Sequence, residues 1–320
     1  MHGLVISGSN NAFDVECDDG IVRICTLKGK KLKTTKDYYN PLCPGDIVII
    51  EEDALTEKSG QIVDLVPRKN EYVRWNIKRR APQLLASNLD HILCVCTPSE
   101  PPFRPRFIDR TLAQAEYQHI EPIIICNKWD LVDAKDPDIE YHLTIWEDLG
   151  YTIFRISAKS NEGMSELAKF LENKFCALMG QSGVGKTTII NKLDPSCALK
   201  TGSLSEKYGR GTHTTTKGKL IHLKLNEALL EGRCGVTADI IDTPGIRRFI
   251  LHEIEACDLA LYFKEFVPLL GTCTYGMSCS HNREPGCKIL EATHAGVISE
   301  ERYESWKRIK EEIETSSWSD

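Results

Sequence analysis

Residues 180–188 read "GQSGVGKTT", and the apolar run "FCALM" stands directly before them. The pattern G-x-x-x-x-G-K-[ST] between a strand and a helix is a phosphate-binding loop. Its backbone N–H groups surround phosphate oxygens at a helix N-terminus, where the helix dipole favours an anion. Gly180, Gln181, Ser182, Gly183, Val184, Gly185, Lys186, Thr187 and Thr188 are therefore candidate nucleotide contacts. Lys186 is placed to reach the β and γ phosphates, and the Thr187 hydroxyl to coordinate Mg²⁺. The loop alone does not choose between ATP and GTP.

The base is chosen elsewhere. "NKWD" (127–130) ends the apolar run "PIIIC", where ligand-contacting loops of a doubly wound sheet lie. A carboxylate at Asp130 accepts from guanine N1–H and the exocyclic amine, whereas adenine offers it neither donor. Asn127 is expected to tie this loop to the phosphate loop, and the Lys128 stem to cover the base. "SAK" (157–159) ends another apolar run, which makes Ser157, Ala158 and Lys159 candidates, with the Ala158 N–H facing guanine O6. "DTPG" (242–245) supplies Asp242 for water-mediated Mg²⁺ binding and the Gly245 N–H for the γ-phosphate. "GRGTHTTTKGKL" (209–220) stands where a first switch belongs, and Thr215 is the favoured threonine for Mg²⁺ and γ-phosphate. These motifs run NKWD, SAK, phosphate loop, HTTT, DTPG, a cyclic rotation of the usual GTPase order. Because domain termini lie close together, a chain can be cut and rejoined without changing the fold. The domain reads as circularly permuted.

Outward from this α/β region the patterning changes. Residues 1–67 carry short alternating stretches such as "AFDVECD" and "GDIVIIEED", separated by turn residues. They predict a small β-barrel of the oligonucleotide-binding type, with an SH3-like barrel as the alternative. Residues 68–83 read as a basic linker, 84–255 as the permuted GTPase domain, and 256–320 as a zinc-binding region ending in a helix. Two basic runs stand out: "LKGKKLKTTK" (27–36), with five lysines, and "RKNEYVRWNIKRR" (68–80), with six Lys or Arg.

The cysteines divide in two. Cys94, Cys96, Cys126 and Cys176 sit in apolar runs and read as small buried side chains. "CTYGMSCSHNREPGC" instead offers Cys273, Cys279, His281 and Cys287, the donor set of a closed structural Zn²⁺ site. The 320-residue chain has 41% hydrophobic and 27% charged residues and a net charge of −6, so it is no general polycation. No apolar run reaches the roughly 18 residues of a membrane span. The first residues lack the basic start and apolar core of a secretory signal, so a cytoplasmic protein with no membrane partner is expected.

Taken together, barrel, permuted motifs, "GRGTHTTT" and "EPGC" resemble the RsgA (YjeQ) family over essentially the whole chain. The resemblance implies a GTPase that binds GTP/GDP and the small ribosomal subunit, contacting its rRNA through barrel and zinc region. It further implies help in late subunit maturation, hydrolysis stimulated by the subunit, then release, most simply as a monomer. A GTP-controlled RNA-binding checkpoint with negligible intrinsic turnover is the alternative. Five residues separate Cys273 from Cys279 where the family has four. Cys273 is kept as first ligand, with His294 as the possible substitute. Where many GTPases place a water-orienting glutamine after D-x-x-G, this chain has Ile246. His213, which matches the family's suspected catalytic histidine, is the candidate catalytic group. DTPG also leads straight into the cysteine-rich region, so loss of the γ-phosphate contact is expected to shift that region relative to the barrel.

Overall fold

The structure, a computed structural model, describes all residues except 10, 30, 31, 33–37, 54, 55, 133–136, 200–217 and 317–320. At the N-terminus, β1 (His2–Ser9), β2 (Ala12–Cys17), β3 (Val22–Leu27), β4 (Ile47–Asp53) and β5 (Thr56–Leu65) close a barrel in the order β1-β2-β3-β5-β4. Only the β3–β5 pair is parallel. Alternation does the work on β2, where Phe13, Val15 and Cys17 point inward. This is the five-stranded Greek-key barrel of the oligonucleotide-binding type.

The segment read as a basic linker is ordered structure. β6 (Glu71–Asn76) and β7 (Ala81–Ser87) pair antiparallel, with Asn76 opposite Ala81. Tyr72, Val73, Leu84 and Ala86 are buried, and the interleaved charges hid that apolar face. Arg68 belongs to the fold as well. Its Nε donates to Asp46 Oδ1 at 2.7 Å and its Nη2 to Asp46 Oδ2 at 2.9 Å, on a carboxylate buried between barrel and hairpin.

The central sheet has six strands, β8 (His91–Cys96), β9 (Glu121–Cys126), β10 (Thr152–Arg155), β11 (Phe175–Gly180), β12 (Lys219–Lys224) and β13 (Thr237–Asp242), in the order β10-β9-β8-β11-β13-β12. All pairs are parallel except β12–β13 at the edge. Near-continuous apolar runs are needed because both faces are covered. On β8, Ile92, Cys94 and Cys96 enter one core, while Leu93 and Val95 enter the other. Helices α1 (Pro105–Tyr117), α2 (Pro137–Asp148), α3 (Met164–Phe170) and α4 (Lys186–Leu193) follow β8, β9, β10 and β11.

After β13 the chain makes short turns until α5 (Lys288–His294) and α6 (Glu300–Thr315). The core is continuous across residue 255: Phe263, Phe266, Tyr303 and Trp306 share a cluster with Ile92, Phe107 and Ile124. A buried polar knot joins α6 to the sheet's helices. Asp109 of α1 accepts from Trp146 Nε1 at 3.0 Å, from Ser305 Oγ and from Arg302, which also donates to Glu265 at 2.7 Å. Among the described residues, no helix is long and apolar enough to cross a membrane.

Candidate nucleotide site and metal centre

β11 delivers the chain into the phosphate loop at the carboxyl edge of the sheet. Gly185 has φ 93°, and a Cβ there would stand 2.3 Å from Asn127 Nδ2, so no other residue fits. Asn127 is the junction of three loops. Its Nδ2 donates to Val184 O at 2.8 Å, and its Oδ1 accepts from Ala158 N at 3.1 Å. Asp130 Oδ1 accepts from Ser157 Oγ at 2.6 Å, and Ser157 Oγ in turn accepts from Ser160 N at 3.1 Å. Asp130 and the Ala158 N–H are thus drawn to one side of the phosphate loop. Lys159 is exposed at the rim. Lys128 takes a left-handed conformation and its Nζ donates to Glu100 O, in the loop between β8 and α1.

On the phosphate side, Lys186 is buried and donates to Gly180 O and Gln181 O, each at 3.1 Å. Burial pushes its pKa down, while Asp242 works the other way. Burial pushes the Asp242 carboxyl up against the opposing pull of Lys186. Asp242 Oδ1 is buried and, among the described residues, has no hydrogen-bond partner. A buried carboxylate oxygen in the field of Lys186, the first residue of α4, is the donor chemistry that suits Mg²⁺. A Cβ at Gly245 would stand 2.8 Å from Ser182 Cα, so the DTPG turn lies directly on the phosphate loop. Ile246 N donates to Gly180 O at 3.1 Å, and its side chain is buried in the core. No polar group occupies that position. His213 and Thr215 lie outside the described residues.

The segment after DTPG runs between the hairpin and α1. Trp75 N donates to Ile250 O at 3.0 Å, and Arg74 Nη1 to Arg248 O at 3.0 Å. His252 N donates to Gln114 Oε1 at 2.7 Å, and Gln114 Nε2 to His252 O at 3.2 Å. Nothing local in the sequence marks Gln114 or Trp75 for this task.

Cys273, Cys279, His281 and Cys287 are all buried, and their ligand atoms lie within 4.8 Å of one another. His281 Nδ1 is 3.7 Å from Cys273 Sγ and 3.5 Å from Cys287 Sγ, with 4.0 Å between those sulfurs. Tetrahedral Zn²⁺ with thiolate and imidazole ligands puts donors about 3.5–3.8 Å apart, so the set fits the ion. Burial pushes His281 toward the neutral form that ligates. The carbonyl of His281 accepts from Tyr303 OH at 2.9 Å, which anchors the cluster to α6. His294 is exposed at the end of α5 and is not part of the group.

A family model described as RsgA GTPase matches residues 65–252, more than half of the chain. The chain belongs to the RsgA GTPase family. It is 35% identical to the small ribosomal subunit biogenesis GTPase RsgA of Flavobacterium johnsoniae, over 97% of this chain and 93% of that one. It is 36% identical to the RsgA of Pseudomonas fluorescens, over 97% of this chain and 84% of the relative. Among solved structures it is similar to YjeQ from Thermotoga maritima, with a TM-score of 0.72, 30% identity and 98% of each chain covered. YloQ, described as a circularly permuted GTPase, shares the fold at a TM-score of 0.67 and 22% identity, over 100% of this chain and 96% of that one. The loops that Asn127 joins therefore belong to an RsgA GTPase domain, and its rotated motif order goes with a fold shared with a circularly permuted GTPase.

Proposed function

We propose that this RsgA-family GTPase binds the small ribosomal subunit, assists its late maturation, hydrolyses GTP to GDP and phosphate there, and then dissociates. The observation that supports the reading is the three-loop junction at Asn127, which ties the NKWD and SAK loops to the phosphate loop, with Asp130 bonded to Ser157 of SAK. Asp130 reads the base, joined by the Ala158 N–H as it turns from Asn127 Oδ1 to guanine O6, and residues 180–188 hold the phosphates. Thr187, Thr215 and, through water, Asp242 would hold Mg²⁺, which would supply charge neutralisation to the phosphates. Lys186 leaves its two loop carbonyls to meet the phosphates. Because Ile246 is apolar and buried, His213 is assigned to orient the attacking water, a role its imidazole can fill near neutral pH.

Zinc on Cys273, Cys279, His281 and Cys287 is structural, since four protein ligands leave no open position. The hairpin tip is the better supported of the two basic runs for rRNA contact. Lys78, Arg79 and Arg80 are exposed there, and the Arg79 guanidinium lies 5.0 Å over the Tyr39 ring, a pairing suited to phosphate and base stacking. The lysines 30, 31 and 33 lie outside the described residues. The protein works in the cytoplasm as a monomer.

Co-sedimentation tests the partner. With a non-hydrolysable GTP analogue the chain should pellet with small subunits, and with GDP it should stay in the supernatant. Equal pelleting with large subunits would overturn the assignment.

A further inference from the structure

We propose that Arg155 is a positioning residue of the guanine pocket, acting through Trp129. The inference rests on the reading of NKWD and SAK as the base-binding loops, and adds what holds them in place. Arg155 closes β10, two residues before Ser157. Its Nε donates to Glu140 Oε2 at 3.1 Å and its Nη1 to Glu147 Oε1 at 2.6 Å. Its Nη2 spans both carboxylates, at 2.8 Å from Glu140 and 2.9 Å from Glu147. The two glutamates are seven residues apart on α2 and so share one face of it.

A guanidinium fixed by two carboxylates has its plane set, and its Cζ lies over the Trp129 ring at 5.7 Å from the centroid. Trp129 is half-buried and packs on the core beneath the sheet. Its N–H donates to Ile156 O at 2.9 Å, which joins the NKWD turn to the strand end that leads into SAK. Trp129 stands between Lys128 and Asp130 in a tight turn. Any freedom of its ring is passed to the Asp130 carboxylate. Neither Arg155 nor Trp129 is needed as a donor or acceptor for guanine. Their part is to keep Asp130 and Ala158 where the base requires them.

The base is common to GTP and GDP, so a loosened brace weakens both equally and leaves the phosphate chemistry alone. Lysine keeps the charge but has neither the fork nor the flat face. In the full-length chain, Arg155→Lys and Arg155→Ala should bind GDP and GTP about tenfold more weakly. KM for GTP should rise with kcat at saturation unchanged. The tryptophan emission change on GDP binding, assigned by its loss in Trp129→Phe, should shrink in parallel. Arg155→Lys retains both carboxylate partners, so folding is not at stake in that variant.

Wild-type affinity in both Arg155 variants, or a fall in kcat with binding unchanged, would overturn the proposal. Asp130→Asn separates this from failure of the pocket reading. An asparagine amide donates to the 2-oxygen of xanthine where aspartate accepts from the guanine amine, so preference should move to xanthosine nucleotides. If it moves while Arg155 variants stay wild type, only the positioning role fails. If Asp130→Asn changes nothing, the pocket and the role fail together.

Discussion

The side-chain amide of Asn127 donates to the carbonyl of Val184, 57 residues further along the chain. In a chain whose motifs run in rotated order, this one bond restores the spatial relation between the base loop and the phosphate loop. Both groups are buried, and the acceptor half of the same amide is taken by Ala158.

Asn127→Ala should therefore cost nucleotide affinity without touching any nucleotide-contacting side chain. Leaving buried partners unsatisfied costs about 1–3 kcal/mol. The Kd for GDP should rise by about one to two orders of magnitude, read by titration with a fluorescent GDP analogue. An unchanged Kd would mean that the phosphate loop keeps its shape without this tie.

Arg302 should be among the most sensitive positions for stability. It is buried between Asp109 and Glu265, and removal leaves two buried carboxylates without their cation. Breaking such a pair costs about 3–5 kcal/mol. Urea unfolding of Arg302→Ala should show a loss of that size, and a loss under about 1 kcal/mol would indicate that water reaches the knot.

Metal analysis should find one zinc per chain, and Cys279→Ser should lose it. Thiolate ligation contributes much of the folding free energy of so loop-rich a segment. Limited proteolysis of that variant should open the stretch around residues 271–287, while the sheet stays protected. A protected stretch in metal-free protein would count against the assignment.

The barrel should respond to acid through Asp19. Its carboxylate accepts from both Arg23 Nη atoms and from Ile21 N, which lowers its pKa to about 2. A depressed carboxylate contributes stability above the unfolded value near 3.9, and loses it as pH falls toward 2. Asp19→Asn should destabilise the protein at pH 7, and the gap from wild type should close between about pH 4 and 2. Thermal unfolding across that range checks the sign.

Much of this fold was legible in the sequence because its signals are local. Near-continuous apolar runs marked β8, β9, β11 and β13, and each nucleotide motif is a short string at a strand end. The hairpin at 71–87 was missed because Arg74 and the charged tip interrupt its alternation, while Tyr72 and Leu84 still face inward. The β12 edge strand was hidden inside the tail of the switch motif. At the site, Asn127, Asp130 and Ala158 were named because their chemistry is carried by motifs. Arg155, Gln114 and Asp109 were not, since each acts through a partner brought close only by folding. Arg302, for example, lies 193 residues from Asp109.

The most direct test of the account is GTP turnover by the full-length chain alone, with purified small subunits, and with purified large subunits. Slow basal hydrolysis is predicted, because buried Ile246 replaces a water-orienting side chain. Small subunits should raise it strongly and large subunits should not, and His213→Ala should keep GTP binding but lose most of the stimulation. Equal turnover in all three mixtures, or undiminished stimulation in His213→Ala, would contradict the account.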